Sequence, residues 1–458
     1  YASRTEQSGC KRADMKNNLK KTALAALPAV LVVTLLQTAA AAAAESQKAA
    51  RPNIILIMAD DLGYGDISCY GSAKIKTPHI DALAKSGMKF TDFHSNGPVC
   101  SPTRAALLTG RYQQRSGIEA VFPSKGPKRE AGLALEQTTI AEVLQKHGYA
   151  TALFGKWHLG NNVEFNPTKQ GFDEFRGNSG GNVDYHSRID GALIEDWWKN
   201  LEMVPEEGYT TDLITKHGVD FIERHKDGPF CLYLAHLAVH SPYQGRNDPT
   251  LRLPSGKRGK YRRKPKDFIR AYKEMIEVMD AGIGQIVETV KKLGLERKTF
   301  IFFCSDNGPG KKGSKGALSG FKGSLLEGGH RVPAVACWPG RISPGTTTEQ
   351  TVMGMDLFPT VASIAGAKLP DGLKLDGVDL LAVMTEDKKL LQRTLFWRFE
   401  DEKAVRKGPW KLLVRENKTT LYNLDEDLAE KNDLARTNPT MLKRLNDELA
   451  VWERRMSN

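Results

Sequence analysis

Residues 53–59, Asn-Ile-Ile-Leu-Ile-Met-Ala, form an unbroken apolar run of strand length that stops at two acids, Asp60 and Asp61. A half-exposed strand alternates apolar and polar side chains. A run without alternation suits a strand covered on both faces, as in a parallel sheet flanked by helices. The chain repeats this rhythm. The stretch 77–87 opens on Thr-Pro and closes on Gly, the signals of a capped helix. A short helix is expected over 102–109 with Pro102 at its first position, another over 139–147, and a strand over 150–154. Helix 210–226, strand 230–236, the long amphipathic helix 267–293 and strand 299–305 follow. This alternation predicts an α/β fold, a mainly parallel sheet with helices on both faces. The pattern changes after residue 366. A Gly-, Leu- and Asp-rich stretch leads into strand-like runs at 395–399, 410–414 and 419–424, then a helix at 439–455. The expectation is a larger domain over 45–366 and a smaller α+β subdomain over 367–458, with an antiparallel sheet and one helix.

Charge is informative only once the N-terminal region is set apart. Met15 opens a basic stretch with Lys16, Lys20 and Lys21, followed by an apolar run at 23–36 and a small-residue tract at 39–44. That is the layout of a secretory signal peptide over 15–44, and its apolar run is short for a membrane span. Residues 1–14 read as an upstream extension. Export to the periplasm or the extracellular space is expected, with no membrane attachment after cleavage. Six of the 66 basic and two of the 54 acidic residues lie in 1–44, which leaves 60 and 52. Eight of those cations sit in 252–266, which contains no acid, so the remainder is formally neutral. A general nucleic-acid surface is excluded. The basic stretch itself, broken by Pro and Gly, is expected to be a loop that meets a polyanionic substrate. With 40% hydrophobic and 26% charged residues the chain can bury a core, which excludes disorder as its main state. Cys231, Cys304 and Cys337 lie in apolar runs and read as buried free thiols. Cys69 lies near a loop, and no zinc-type spacing is present.

In open α/β sheets chemistry gathers at the carboxyl ends of strands. Here the first strand ends in Asp60-Asp61, and the strand at 150–154 runs into Gly-Lys156-Trp-His158. The strand at 230–236 leads to His240-Ser-Pro, and the one at 299–305 ends in Asp306-Asn307-Gly. Singly, each has an ordinary structural reading. Together they deliver acids, an amide, histidines and a lysine to one rim. Asp60, Asp61, Asp306 and Asn307 are hard oxygen donors, which suit Ca²⁺ or Mg²⁺ better than zinc. Packed together, three carboxylates would repel one another without a cation. The segment Cys100-Ser-Pro-Thr-Arg104 places residue 100 at the predicted helix N-terminus, where backbone N–H groups attract anions. Arg104, one turn on, offers a planar fork of donors to the same point. A tetrahedral oxyanion, sulfate or phosphate, fits that description.

These residues resemble the type I, formylglycine-dependent sulfatases of the alkaline phosphatase superfamily. The pattern C-x-P-S/T-R followed by x-x-L-L-T-G-R stands at 100–111 without departure. Supporting motifs are Ala-Asp60-Asp61, Gly-Lys156-Trp-His158-Leu-Gly, His240-Ser-Pro, Ser-Asp306-Asn307-Gly and Phe-Lys322-Gly-Ser-Leu-Leu-Glu-Gly-Gly-His-Arg-Val-Pro. The resemblance covers about residues 51–425 and is similar in kind to arylsulfatases and N-acetylgalactosamine sulfatases. It implies that Cys100 is converted to Cα-formylglycine, whose gem-diol is the nucleophile. It implies one Ca²⁺ held by Asp60, Asp61, Asp306, Asn307 and residue 100. Arg104 and Lys156 would stabilise that cluster, His158 would assist release of sulfate, and Lys322 and His240 would bind the sulfate group. A formylglycine-generating or anaerobic sulfatase-maturating enzyme is the implied partner.

The implied substrate is a sulfated carbohydrate, with a galactose or N-acetylgalactosamine sulfate as the expectation. Residues 178–188 (NSGGNVDYHSR) follow Gly-Phe-Asp-Glu-Phe and could line the pocket through Asp184, His186 and Arg188. Trp197-Trp198 reads as a packed pair rather than a sugar platform. Two alternatives remain: a phosphonate or phosphate ester hydrolase of the same superfamily, and a secreted glycan-binding protein without catalysis.

Overall fold

The large sheet runs through the centre of the molecule in the order Thr346–Thr348, Met88–Phe90, Ala334–Cys337, Thr299–Ser305, Asn53–Ala59, Phe230–Ala235, Ala150–Lys156, Glu174–Asn178, Trp198–Lys199, Glu202–Met203. This is a computed structural model; it describes residues 51–456 except 254–256, 258 and 260–263. The signal peptide, the 1–14 extension and most of the basic stretch 252–266 lie outside the described residues. The five strands from Thr299–Ser305 to Glu174–Asn178 are mutually parallel. Ala334–Cys337 runs antiparallel between Thr299–Ser305 and Met88–Phe90.

Every side chain of Asn53–Ala59 is buried, as the absence of alternation predicts. Alternate residues feed two apolar layers. Ile54, Leu56 and Met58 join one, with helix Ile140–Lys146 and helix Leu357–Ala365. Ile55, Ile57 and Ala59 join the other, with helices Pro78–Ser86, Thr210–Arg224 and Pro265–Lys292. Each fully buried Ile or Leu contributes about 1.5–3 kcal/mol by removal from water. Local signals set the ends. Thr139 caps Ile140–Lys146 with a reciprocal box: its hydroxyl accepts from Glu142 N at 3.2 Å, and its own N–H donates to Glu142 at 2.7 Å.

Three sequence expectations are corrected. The helix expected from 102 begins at Cys100, because extended geometry ends at Val99 (φ −145°, ψ 164°), so Pro102 is its third residue. The strand expected over 150–154 continues to Lys156. The C-terminal sheet has four strands rather than three, Thr394–Phe399, Glu402–Lys407, Trp410–Arg415 and Lys418–Asn423, all antiparallel. The missed strand, Glu-Lys-Ala-Val-Arg-Lys, hides Ala404, Val405 and Arg406 between charged ends. Helix Pro439–Met456 covers this sheet through Leu445, Leu449 and Trp452. The same apolar cluster includes Ala106 of helix Cys100–Thr109 and Leu325. Cys231, Cys304 and Cys337 are buried free thiols, as expected. No helix among the described residues is long and apolar enough to cross a membrane.

Candidate active site

Parallel pairing of Asn53–Ala59 with Thr299–Ser305, in register from Asn53 opposite Thr299 to Ala59 opposite Ser305, brings Asp60-Asp61 beside Asp306-Asn307. Two backbone bonds continue past the strand ends: Asp306 N donates to Ala59 O at 3.0 Å, and Asp60 N to Ala238 O at 2.9 Å. Asp61 (φ 61°) and His158 (φ 56°) occupy the left-handed region, conformations that the surrounding packing must enforce.

Each acid has its own cation. Lys156 Nζ donates to Asp60 Oδ2 at 2.6 Å, and Lys322 Nζ to Asp61 Oδ1 at 2.6 Å. Arg104 donates to Asp306 Oδ2 through Nη2 at 2.8 Å and Nε at 3.2 Å, while its Nη1 reaches Lys156 O at 2.8 Å. The repulsion anticipated among the three carboxylates is thus offset by three organic cations, and the cluster is formally neutral. Cys100 Sγ sits at its centre, 3.4 Å from Asp60 Oδ1 and 3.4 Å from Lys322 Nζ. His240 Nε2 lies 3.8 Å from Asp61 Oδ2. All the residues foreseen for the catalytic and metal cluster except His158 are therefore linked within one largely buried knot; His158 stands beside it on the same strand end as Lys156.

Burial sets the protonation states. It pushes Asp60 up, helped by the neighbouring Asp306 carboxylate, and Lys156 only partly restores it, so the carboxyl stands at about 7. Burial also pushes Asp306 up, but Arg104, Lys156 and Lys322 together outweigh it and hold the carboxyl below the usual range. Burial, Asp306 and Asp60 push the Cys100 thiol far up, so the unmodified cysteine is not a thiolate at neutral pH. Burial and the Lys322 ammonium lower His240 to about 3, which leaves a neutral imidazole.

The donor set fits a hard cation. Asn307 turns its Nδ2 to Asp61 Oδ1 at 2.8 Å, which leaves its buried Oδ1 without a hydrogen-bond partner. An orphaned amide oxygen among carboxylates, one of them underprotected by its neighbours, is a calcium-type environment.

His158 is fixed by groups that sequence reading missed. Its Nε2 lies 3.0 Å from the carbonyl of Phe122, which can only accept, so Nε2 carries the proton. The buried Nδ1 lone pair has no partner. Burial and Lys156 keep the ring neutral. Gly181 lies against the same edge of the ring: a Cβ there would stand 2.7 Å from His158 Nε2. A backbone carbonyl leaves no trace in side-chain identity; the Gly-Gly pair at 180–181 was the one available signal.

Asp184, His186 and Arg188 are not brought into this knot. Asp184 is buried and ties its own loop, accepting from His186 N, Ser187 N, Leu251 N, Arg252 N and Gln244 Nε2. His186 Nε2 meets Gly245 O at 3.1 Å, and Arg188 donates to the carbonyls of Glu206 and Gly208. Trp197 and Trp198 are buried, their indole N–H groups bonded to Glu206 and Asp196. A second group of possible ligands, His94, Glu327 and His330, is also buried, but Lys411 already fills it, 2.8 Å from Glu327 and 3.3 Å from His330.

Known proteins resemble this chain over most of its length. The family model described as Sulfatase matches residues 52–367, and that described as N-sulphoglucosamine sulphohydrolase, C-terminal, matches 321–454. N-acetylgalactosamine-6-sulfatase of Mus musculus is 34% identical over 388 residues, 79% of this chain and 71% of that protein. Arylsulfatase A of Bos taurus is 36% identical over 410 residues, 79% of this chain and 75% of its own length. The crystal structure of Ps i-CgsB, 33% identical, superposes with a TM-score of 0.79 over 88% of this chain and 92% of that one. A structure of Ps i-CgsB in complex with k-i-k-neocarrahexaose, 34% identical, gives 0.78 over the same shares, 88% and 92%.

Proposed function

The chain belongs to the sulfatase family of sulfuric ester hydrolases, and from that premise we propose that it is an exported enzyme removing sulfate from a carbohydrate, with Cys100 as the precursor of its nucleophile. The observation that carries this reading is the set of three acid–cation pairs, Asp60–Lys156, Asp61–Lys322 and Asp306–Arg104, closed around the Cys100 sulfur. Asp60, Asp61, Asp306, Asn307 and residue 100 would hold one Ca²⁺, whose two charges would draw in and polarise a sulfate group, and conversion of Cys100 to Cα-formylglycine would supply a gem-diol nucleophile. The protein's own groups do the rest. In a knot that is neutral without the metal, Lys322 would hold a sulfate oxygen as charge shifts toward the leaving oxygen, and His240, whose Nδ1 bonds the Ser241 carbonyl at 2.7 Å, would join it once its Nε2 is protonated. Arg104 and Lys156 hold Asp306 and Asp60 in place. His158, protonated on Nε2 and free on Nδ1, can take up a proton at Nδ1 from a hydroxyl on residue 100.

Residues 45–366 are read as the catalytic domain and 367–458 as a C-terminal subdomain. Maturation requires a formylglycine-generating or anaerobic sulfatase-maturating enzyme. The substrate class is supported by a relative named for N-acetylgalactosamine 6-sulfate and by one whose structure holds k-i-k-neocarrahexaose. The test is release of inorganic sulfate from a panel of defined galactose and N-acetylgalactosamine sulfates by the co-matured enzyme. An aryl phosphodiester serves as the contrast. Preferred cleavage of the phosphodiester would reject the proposal.

A further inference from the structure

Lys322 is presented by a loop with little stiffness of its own. Residues 319–330 include four glycines, Gly320, Gly323, Gly328 and Gly329, so a fixed conformation is entropically costly. Yet its ammonium sits 2.6 Å from Asp61 and 3.4 Å from Cys100. Near the knot the loop has two backbone anchors: Lys322 N donates to Pro309 O and Gly323 N to Pro98 O, both at 2.9 Å.

Gly329 O and His330 O also accept from Gly308 N at 2.9 Å and Ser95 N at 2.7 Å, and further anchors come from the C-terminal sheet and the turn after it. Leu325 N donates to Glu402 Oε2 at 2.8 Å, and Glu327 N to Glu430 Oε2 at 2.7 Å. Ser319 Oγ donates to Ala429 O at 2.6 Å. Lys411, wholly buried, bridges Glu327 Oε1 and Glu430 Oε1, each at 2.8 Å. Glu402 is itself held by Arg415 Nε at 3.0 Å. Leu325 seals the contact in the apolar cluster shared with Trp397 and Leu413.

We propose that Glu402, Ser319 and the Lys411–Glu430 pair are positioning residues that fix Lys322 for capture of the sulfate group, so that the C-terminal sheet sets affinity for the oxyanion without touching it. This rests on the reading of Lys322 as a sulfate-binding residue. A group held within a few tenths of an ångström by its supports loses affinity when they are removed, although its own chemistry is unchanged.

The test uses the full chain with Cys100 unmodified, titrated with inorganic sulfate in the presence of Ca²⁺. It is repeated on the matured enzyme as inhibition by sulfate of aryl sulfate turnover. Lys322→Ala is the reference and should weaken sulfate binding by tenfold or more. Glu402→Ala should weaken it about tenfold, the loss of one hydrogen bond to a charged group. It should raise KM in parallel and change kcat less than threefold. Glu402→Gln keeps an acceptor for Leu325 N and should restore most of the affinity. Ser319→Ala removes a single hydroxyl, should weaken binding about threefold, and keeps the test open if Glu402→Ala does not fold. If Lys322→Ala weakens binding while folded Glu402→Ala and Ser319→Ala bind like the parent, the positioning proposal is overturned and the role of Lys322 stands. If Lys322→Ala itself binds sulfate normally, the reading of Lys322 fails and the proposal with it.

Discussion

Removing Asp306 from the knot leaves the Arg104 guanidinium, 1% exposed, with the Lys156 carbonyl as its remaining acceptor among the contacts described. Two charge-assisted bonds are lost, those of 2.8 and 3.2 Å. Breaking a buried pair from one side costs about 3–5 kcal/mol, because the surviving charge stays desolvated. Arg104→Met should cost a similar amount by stranding Asp306. The double variant strands neither, so its cost should fall short of the sum by about 2–3 kcal/mol. Unfolding entropy near 2.1 cal/mol/K per residue over roughly 400 residues is about 0.85 kcal/mol/K, so each single change should lower Tm by about 4–6 °C. The assay is thermal unfolding of Asp306→Ala, Arg104→Met and the double variant in chelator, which keeps bound cation out of the cycle. Additivity within about 0.5 kcal/mol would refute the claim that this pair acts as one unit.

Gly181→Ala should press a methyl onto His158 and cut kcat at least tenfold while Tm moves little; kinetics beside a melting curve decide it, and unchanged kcat would remove Gly181 from the account. Asp184→Ala strips an acceptor from five donors of its loop; Tm should fall while kcat per folded molecule on an aryl sulfate stays near the parent value, and a selective kcat loss would return Asp184 to the pocket. Burial lowers His236 to about 4, so the neutral ring supports the fold fully above pH 6.5, and that support is lost as pH falls from 6.5 through 4. His236→Leu should flatten this part of the stability–pH curve, read by urea unfolding between pH 4 and 7, by up to about 3 kcal/mol. A curve of unchanged slope would mean that His236 does not titrate in the fold.

The strands at 53–59 and 299–305 were legible to the residue because unbroken apolar runs ending in acids have few other readings. The site was legible for the same reason: register between neighbouring parallel strands converts adjacency in the sheet into adjacency of Asp60, Asp61, Asp306 and Asn307. What escaped was set by tertiary contact. Pro102 suggested a helix start, but the chain enters helical geometry two residues earlier, so Cys100 belongs to the helix rather than facing its end. The strand Glu402–Lys407 looked polar because its charges pair across to other elements, Glu402 with Arg415 and Lys403 and Lys407 with Glu453 and Glu448. The loop at 178–188 carries residues that could bind a sugar, yet Asp184 bonds four backbone N–H groups and the Gln244 amide, and Arg188 the carbonyls of Glu206 and Gly208. Composition does not distinguish a ligand for substrate from a ligand for the loop.

The central claim, that Cys100 is the precursor of the nucleophile of a sulfatase, is tested most directly on one sample. The chain is produced with a maturing enzyme, and the peptide containing residue 100 is weighed alongside a count of sulfate released from a sulfated sugar. The account predicts a peptide about 18 Da lighter than the cysteine form, turnover that scales with the converted fraction, and none in Cys100→Ala. Full turnover from protein whose Cys100 is unmodified would contradict it.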